Sequence, residues 1–331
     1  VREAAERERR EREAEGGEGV LVDAAAWVGG VVRIRDVGVG GGGGGGGGVR
    51  EFRRFRRVFA PSHTQADVFG AVARPLVRAC VGGYDVTMLC YGQTGGGKTH
   101  TMFGGGGCFA AAARDRYQAA EELAARRMGL RAAEAARAGV GECDERWGCV
   151  PRVCHAILRA ANRDADVTYA LSMSCVEVYG ERCYDLLNLR EEVAVVDRDR
   201  DALLARHANR ESTAAGTYAP TGFACDGAAT VAITDMGSVL WQCALVESSR
   251  VAGTTAMNAR SSRSHAVVIL TLRQTHNRTA QTMTSRFLLV DLAGSERLKK
   301  SGSEGRRKAE ACAINSSLST LARCIAALGN A

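Results

Sequence analysis

The stretch Gly92-Gln93-Thr94-Gly95-Gly96-Gly97-Lys98-Thr99 decides how this chain is interpreted. It fits G-x-x-x-x-G-K-[ST], the pattern of a loop that binds the phosphates of a nucleotide. The glycines let the backbone turn tightly and bring several N–H groups close to the phosphates. Lys98 supplies a mobile cation for the β- and γ-phosphates, and the Thr99 hydroxyl can bind Mg²⁺. The stretch therefore predicts a site for a nucleoside triphosphate.

The segments on either side of this loop agree with the prediction. Residues 85–91 form a short apolar run that predicts a buried strand feeding the loop. Thr99 is expected to begin a helix, whose N-terminal end favours anions. The alternative is an ordinary glycine turn, because a chain with 40 glycines offers chance matches. We favour the phosphate loop because the glycine runs at 40–48 and 104–107 offer no Lys-Thr after a strand.

Two later segments contain the residue types needed to sense a terminal phosphate. Residues 286–291 predict an apolar strand that ends in Asp291, whose carboxylate is suited to the Mg²⁺ shell, through water. Gly294 can bring its backbone N–H close to the γ-phosphate. The hydroxyls of Ser261 and Ser262 are candidate ligands for Mg²⁺, the γ-phosphate or the attacking water. Together with the loop, these segments predict hydrolysis of the nucleotide coupled to movement.

Three segments in this order resemble the P-loop, switch I and switch II of the kinesin motor domain. They are G-Q-T-G-G-G-K-T-H-T-M at 92–102, N-A-R-S-S-R-S-H at 258–265 and D-L-A-G-S-E at 291–296. Shorter resemblances are F-R-R-V-F at 55–59, G-C-V-P-R at 148–152, V-E-V-Y-G-E at 176–181, Y-D-L-L at 184–187 and I-N-S-S-L at 314–318. The resemblance runs from about residue 51 to the end. It implies an α/β fold of the P-loop NTPase type, truncated, with a central, mostly parallel or mixed sheet flanked by helices on both faces.

The resemblance also implies a role for the residues of these segments. ATP and Mg²⁺ would be bound, and water would attack the γ-phosphate in line. Arg263 and Glu296 would form an ion pair that closes when both switches fold over ATP, while His265 would orient its neighbours through hydrogen bonds. The residues implied in nucleotide binding are Gly92, Gln93, Thr94, Gly95, Gly96, Gly97, Lys98, Thr99 and His100. Those implied in metal binding are Thr99, Ser262 and Asp291, and those implied in catalysis are Asn258, Ser261, Ser262, Arg263, Gly294 and Glu296.

A basic cluster after the D-L-A-G-S-E segment indicates the macromolecular partner. The net charge of +7 is compatible with nucleic acid, an anionic membrane or an acidic protein surface. By the resemblance, the cluster leads into the helix that lies on tubulin, so microtubules are the implied partner. Aromatic residues make up 5% of the chain and none interleaves with the cluster, which disfavours nucleic acid. The implied microtubule contacts are Arg297, Lys299, Lys300, Arg306, Arg307, Lys308 and Asn315.

The organisation of the chain predicts a charged leader followed by one partial motor domain. Residues 1–48 are rich in charge and glycine and predict a largely flexible segment that ends in a glycine spacer. Residues 49–331 predict the motor domain, with one helix across 65–80 and an insertion at about 103–147. No apolar run approaches a membrane span, and the 12 cysteines lack zinc-site spacing and predict reduced thiols. These features predict a cytoplasmic, microtubule-associated protein with neither a membrane nor a nucleic-acid partner.

Two departures from the family pattern leave two hypotheses open. No R-x-R-P strand precedes the loop, and the chain ends with the microtubule-binding helix, before the family's last strand and neck. A sheet without its first and last strands would expose an unpaired edge. In the first hypothesis, the chain is part of an active, microtubule-stimulated ATPase, with any dimerisation through regions absent from this chain. In the second, it is a degenerate kinesin-like fragment that binds tubulin or a partner without ATPase activity.

Overall fold

Runs of strands are separated by helices along the chain in the computed structural model. It describes residues 20–22, 32–36, 49–52, 55–109, 143–197, 223–252, 263–295 and 306–329. The strands are β1 (Val20–Val22), β2 (Val32–Asp36), β3 (Val49–Phe52), β4 (Val86–Cys90), β5 (Val167–Tyr179), β6 (Arg182–Asp185), β7 (Glu192–Asp197), β8 (Phe223–Asp226), β9 (Val231–Ile233), β10 (His265–His276) and β11 (Thr282–Asp291). The helices are α1 (Gln65–Val68), α2 (Arg74–Val81), α3 (Lys98–Met102), α4 (Cys149–Ala161), α5 (Met236–Ala252) and α6 (Arg306–Gly329).

Most of these strands form one mixed sheet of eight strands. Their order is β4-β11-β10-β5-β6-β7-β8, and β9 pairs with β5. Strands β4 and β11 are parallel, and the other pairs described in this sheet are antiparallel. The prediction of a mixed sheet is therefore confirmed, but "mostly parallel" is wrong for the described strands, since short connections such as that between β10 and β11 impose antiparallel pairing. Strand β4 lies at one end, so its outer edge has no partner strand within the described residues.

The core lies between one face of the sheet and the helices that cover it. On β10, alternate side chains from Ala266 to Leu272 are buried, and those between them are partly exposed. They join one cluster with buried residues of α2, α4 and α5, among them Val77, Val153, Ile157, Val239 and Cys243. The parallel pair β4 and β11 places Cys90 opposite Asp291, so the carboxyl ends of both strands meet at one edge of the sheet. In an α/β sheet this is the edge where ligands bind.

The helix predicted across residues 65–80 is interrupted. A π-helical turn, Phe69–Ala73, separates α1 from α2, and the Arg74 N–H donates to the Phe69 carbonyl. Pro75 follows directly, within the first turn of α2. Proline has no N–H, and its ring crowds the carbonyl four residues earlier in a regular α-helix. The wider π-helical turn gives the carbonyl four residues before Pro75 more room. Pro75 is therefore the sequence signal for the interruption of the helix.

Two short strands lie in the N-terminal segment. Strands β1 and β2 both lie within residues 1–48, and they form a three-stranded antiparallel sheet with β3. These two strands pair with each other and with the start of the motor domain, and the largely flexible character of the segment stays a prediction. The other residues of 1–48, including the glycine spacer, lie outside the described residues. Most of the predicted insertion, residues 110–142, also lies outside them.

Two general features of the described ranges bear on the function classes. No helix in them is long and apolar enough to cross a membrane. The cysteine side chains in them are free thiols, and many are buried. The buried thiols contribute to packing, and the described thiols form no cross-links.

Candidate functional site

The predicted phosphate loop connects β4 to α3 at the ligand-binding edge of the sheet. Gly95 and Gly97 both have φ of 78°, in the left-handed region, and Gly97 caps the N-terminus of α3. L-residues with a side chain rarely adopt this conformation, so the shape of the loop requires glycine. A Cβ atom built at either position meets no atom within 4 Å. The loop is thus open on the side where phosphates would lie.

The lysine of the loop is folded back over it. Lys98 Nζ donates hydrogen bonds to the carbonyl oxygens of Gly92 at 2.9 Å and Gln93 at 2.8 Å. The ammonium group therefore already lies against the loop, and phosphate oxygens could replace these carbonyl acceptors. In α3, the His100 carbonyl accepts a hydrogen bond from Gln65 Nε2 at 2.6 Å, which ties α3 to α1.

A buried carboxylate stands beside the start of α3. Asp291 is 1% exposed, and its Oδ2 accepts hydrogen bonds from Thr99 Oγ1 at 2.6 Å and Arg250 Nη1 at 2.7 Å. Its Oδ1 is buried and has no hydrogen-bond partner in the described part of the protein. A buried carboxylate oxygen without a partner costs free energy, on the order of 1–3 kcal/mol or more. Because it lies on the carboxylate that contacts the Thr99 hydroxyl, this oxygen is available to a further ligand at the phosphate loop.

The residues around Asp291 fit a magnesium ion. Mg²⁺ prefers oxygen ligands and is usually held by one or two protein groups together with phosphates and water. The Thr99 hydroxyl and the Asp291 carboxylate supply such oxygens, and they already touch each other across the phosphate loop. Ser262, the third predicted metal ligand, lies outside the described residues.

The segment after β11 is held against the phosphate loop. The Leu292 N–H donates to the Cys90 carbonyl at 3.2 Å, and the Ser295 N–H donates to the Gly92 carbonyl at 3.1 Å. Gly294 lies between these two bonds and is buried. The structure thus brings Gly294 next to the loop, where its N–H was expected to sense the γ-phosphate. We call residues 292–295 the sensor segment.

His265 connects the sensor segment to α6. It is 9% exposed, and its Nδ1 accepts a hydrogen bond of 3.0 Å from the Ala293 N–H. Its Nε2 lies 2.9 Å from Ser317 Oγ in α6. Burial lowers the pKa of His265, while nearby Asp291 raises it and Arg250 lowers it further. A buried, neutral ring with both nitrogens engaged suits the predicted orienting role.

A cysteine lies next to the site, but its chemistry is inert. Burial raises the pKa of the Cys90 thiol to about 12, with a further contribution from the Asp291 carboxylate. The thiolate is the reactive form of cysteine. Cys90 therefore stays protonated at neutral pH and contributes no nucleophile.

A cavity of about 470 Å³ lies beside the residues that follow the phosphate loop. It is lined by Gln65, His100 and Arg152, among others, and by none of the residues 92–98. His100 is also an implied nucleotide-binding residue, so this cavity adjoins the predicted site without including the phosphate loop itself.

Comparison with known proteins gives the family. The sequence profile of the kinesin motor domain matches residues 48–331. The chain belongs to the kinesin motor domain family. The matched range covers the whole site described above.

Individual kinesins are similar to this chain in sequence and in fold. Kinesin-like protein KIN-1 of Arabidopsis thaliana is 31% identical over 274 residues, covering 82% of this chain and 48% of the relative. Chromosome-associated kinesin KIF4 of Mus musculus is 32% identical over 275 residues, covering 82% of this chain and 18% of the relative. The chain thus spans about half the length of the first relative and less of the second. A solved structure described as "Structure of a fast kinesin: Implications for ATPase mechanism and interactions with microtubules" matches with a TM-score of 0.63 at 24% identity, covering 92% of this chain and 68% of that one, which supports the fold.

Only part of the predicted kinesin site falls within the described residues. The P-loop, Asp291 and Gly294 are brought together, and Asn315 lies in α6, two residues before Ser317. Arg263 is partly buried, but Glu296 is outside the described residues, so their ion pair remains a prediction. Also outside are Asn258, Ser261, Ser262, Arg297, Lys299 and Lys300, and the side chains of Arg306, Arg307 and Lys308.

Arg250 is a site residue that the sequence reasoning missed. It lies in the last turn of α5 and is 5% exposed, so it depends on Asp291 to balance its charge. The one available signal was a single cation in the last turn of a mostly apolar helix, where cations are favoured by the helix dipole. That signal gives no hint of the partner, which comes 41 residues later.

Proposed function

We propose that this chain is the nucleotide-hydrolysing core of a microtubule motor that uses ATP and Mg²⁺. The observation that carries the proposal is the Thr99–Asp291 hydrogen bond of 2.6 Å beside an open glycine loop. This hydrogen bond joins the helix that begins at the phosphate loop to a buried carboxylate whose second oxygen has no partner in the described residues. A Mg²⁺–nucleoside triphosphate complex requires such an arrangement. The preference for ATP over other triphosphates rests on the family.

Each part of the site has a role in hydrolysis. The backbone N–H groups of residues 92–97 and Lys98 bind the β- and γ-phosphates. Thr99, Asp291 and Ser262 would hold the metal, and a Mg²⁺ ion held there would supply positive charge opposite the transferred phosphoryl group. Gly294 contacts the γ-phosphate through its N–H. Positioning and charge stabilisation supply most of the rate enhancement in such reactions.

The switch residues complete the proposed mechanism. Ser261 and Ser262 orient the attacking water, with Asn258 in the same segment. The Arg263–Glu296 ion pair closes both switches over ATP. These roles are supported by the family and by the closeness of Gly294 to the P-loop. At that distance, the sensor segment can respond to the presence of a phosphate.

The proposed partner is the microtubule. The implied contacts are the basic cluster at 297–308 and Asn315, and an acidic protein surface complements the cluster's charge. The protein is accordingly proposed to be cytoplasmic and associated with the microtubule cytoskeleton. Replacing Arg306, Arg307 and Lys308 together by Glu should weaken co-sedimentation with microtubules, and raising the salt concentration should weaken wild-type binding.

Steady-state ATP hydrolysis with and without microtubules tests the proposal. The purified chain should hydrolyse ATP slowly, and microtubules should raise the rate. Lys98→Ala should abolish both rates because it removes the phosphate-binding cation. Arg278→Ala is the matched control, since this exposed cation follows β10 at the end away from the site.

A folded wild-type chain with no hydrolysis in either condition would overturn the enzymatic proposal. If that chain still co-sedimented with microtubules, it would be a tubulin-binding relative without ATPase activity, as the second hypothesis states. Hydrolysis that survived Lys98→Ala would show that the activity comes from another site or a contaminant.

A further inference from the structure

The inference concerns His265, which lies between the sensor segment and α6. Its two ring nitrogens contact different elements: Nδ1 the backbone of Ala293, and Nε2 the side chain of Ser317. Both distances, 3.0 and 2.9 Å, are within normal hydrogen-bonding range. One side chain therefore spans the gap between the segment that faces the nucleotide and the helix that carries Asn315.

The contacts determine which ring nitrogen carries the proton. A backbone N–H can only donate, so Nδ1 must accept the bond from Ala293 with its lone pair. Ser317 Oγ donates its own hydrogen to the Ile314 carbonyl at 2.7 Å, so it is an acceptor toward the ring. Nε2 must then carry the hydrogen that Ser317 accepts. All three bonds agree with a neutral ring protonated at Nε2, and the lowering of the His265 pKa by burial is consistent with this state.

We infer that His265, as its neutral Nε2–H tautomer, is a positioning residue that couples the sensor segment to α6 through Ser317. The inference rests on the proposed function, because it assigns a pathway between the nucleotide and the microtubule. When Gly294 follows the γ-phosphate, the adjacent Ala293 N–H carries the His265 ring with it. The ring then moves Ser317 and, with it, the face of α6 near Asn315. By reciprocity, microtubule binding to α6 acts back on the sensor segment.

The first test cuts only the helix side of this connection. Ser317→Ala removes the acceptor for Nε2–H, and Ser317→Thr restores a hydroxyl. Ser319→Ala is the matched control, because Ser319 lies in the same helix and is exposed. The readout is the ratio of microtubule-stimulated to basal ATPase rate, with thermal unfolding as a check that each variant is folded.

We expect Ser317→Ala to leave the basal rate unchanged and to lower the ratio by about threefold to tenfold, the range set by the loss of one hydrogen bond. Ser317→Thr and Ser319→Ala should keep the wild-type ratio. His265→Asn should match Ser317→Ala in its ratio, since the Asn oxygen can replace Nδ1 as acceptor but its side chain is too short to reach Ser317. The double variant His265→Asn/Ser317→Ala should lower the ratio no further than the stronger single variant does, because both substitutions break the same connection.

Two results would overturn the inference while leaving the proposed function intact. One is a wild-type ratio in Ser317→Ala. The other is a double variant whose effect is the product of the two single effects, which would mean that the residues act separately. An ATPase-inactive wild type is a different failure, because it removes the proposed function and with it the coupling role.

The ring state can be measured independently of any activity. Nitrogen-15 NMR of histidine-labelled protein distinguishes the two neutral tautomers and the charged ring, and subtraction of the His265→Asn spectrum isolates the His265 signals. An Nε2–H signature that changes in Ser317→Ala supports the connection even if hydrolysis is absent. A Nδ1–H or charged ring overturns it whatever the ATPase result.

Discussion

Two arginine–carboxylate pairs with buried carboxylates share their chemistry in this kinesin motor domain but differ in their surroundings. In the Arg250–Asp291 pair, the side chains are 5% and 1% exposed, and Thr99 at the P-loop shares the carboxylate. In the Arg190–Glu177 pair, they are 17% and 0% exposed. The first pair stands at the end of β11 beside the phosphate site, and the second lies on β5 and the turn after β6.

The surroundings indicate what each pair is for. The Arg190 guanidinium donates through Nε and Nη2 to one Glu177 oxygen and lies 4.7 Å from the centre of the Tyr184 ring. It is held on two sides, as expected for a fixed structural contact. Asp291, by contrast, faces a hydroxyl that binds metal in the proposed mechanism. Both ion pairs are therefore expected to contribute to stability. Only the Arg250–Asp291 pair has neighbouring groups that indicate a function.

The largest expected effect is the loss of stability when either arginine is replaced. Arg250→Met and Arg190→Met should each lower the free energy of unfolding by about 3–5 kcal/mol, because a buried carboxylate is left without its counter-charge. Urea unfolding measures the loss. Adding Asp291→Asn to Arg250→Met should recover part of it, since no buried charge then remains. Losses under about 1 kcal/mol in both single variants would contradict the assignment of these pairs as buried and mutually dependent.

The next effect should separate the two regions. Thr99→Ala should weaken binding of Mg²⁺–nucleotide about tenfold or more, because a hydrogen bond to a charged group is worth roughly 1.5–3 kcal/mol. Thr99→Ser retains the hydroxyl and should bind nearly normally. Binding can be followed by the rise in unfolding temperature with added Mg²⁺ and nucleotide. Arg190→Met is the control, and an equal loss of binding in it would mean that the turn after β6 also shapes the site.

The difference between the two regions also explains what the sequence could predict. The P-loop is contiguous, and each of its residue types has a chemical task, so its position and the strand before it were predicted. Asp291 was predicted because it ends an apolar strand. Arg250 and Ser317 were missed, because their roles depend on which helix packs against which strand end. No local pattern encodes that packing.

The fold was predicted in outline for a similar reason. Alternating apolar residues on β10 and β11 and helical periodicity elsewhere specify the elements. Pairing direction and strand order depend on contacts distant in sequence, so the mainly antiparallel pairing of the described strands was not predicted. The strands β1 and β2 are short and lie among residues rich in glycine and charge, so the sequence does not indicate what they pair with. Their pairing with β3 is tertiary information.

A smaller effect concerns the shape of the P-loop. Gly97→Ala should destabilise the protein by about 1–2 kcal/mol, because φ of 78° is unfavourable for a residue with a Cβ. It should also weaken nucleotide binding, since the methyl group would occupy the open side of the loop. Gly105→Ala is the control: its Cβ also meets nothing within 4 Å, and its φ is outside the left-handed region. Equal unfolding temperatures for the two variants would contradict the strain argument.

The smallest effect is expected at a third arginine–carboxylate pair, which tests whether burial is the variable that matters. Arg286 contacts Asp85 at 2.9 Å, but the side chains are 31% and 46% exposed. Arg286→Ala should cost less than about 1 kcal/mol, and added salt should reduce the cost further, because water and ions screen exposed pairs. Asp85→Ala should cost more, since Asp85 also accepts the Arg286 backbone N–H at 2.7 Å. If urea unfolding showed Arg286→Ala to be as damaging as Arg250→Met, geometry rather than burial would determine the strength of these pairs.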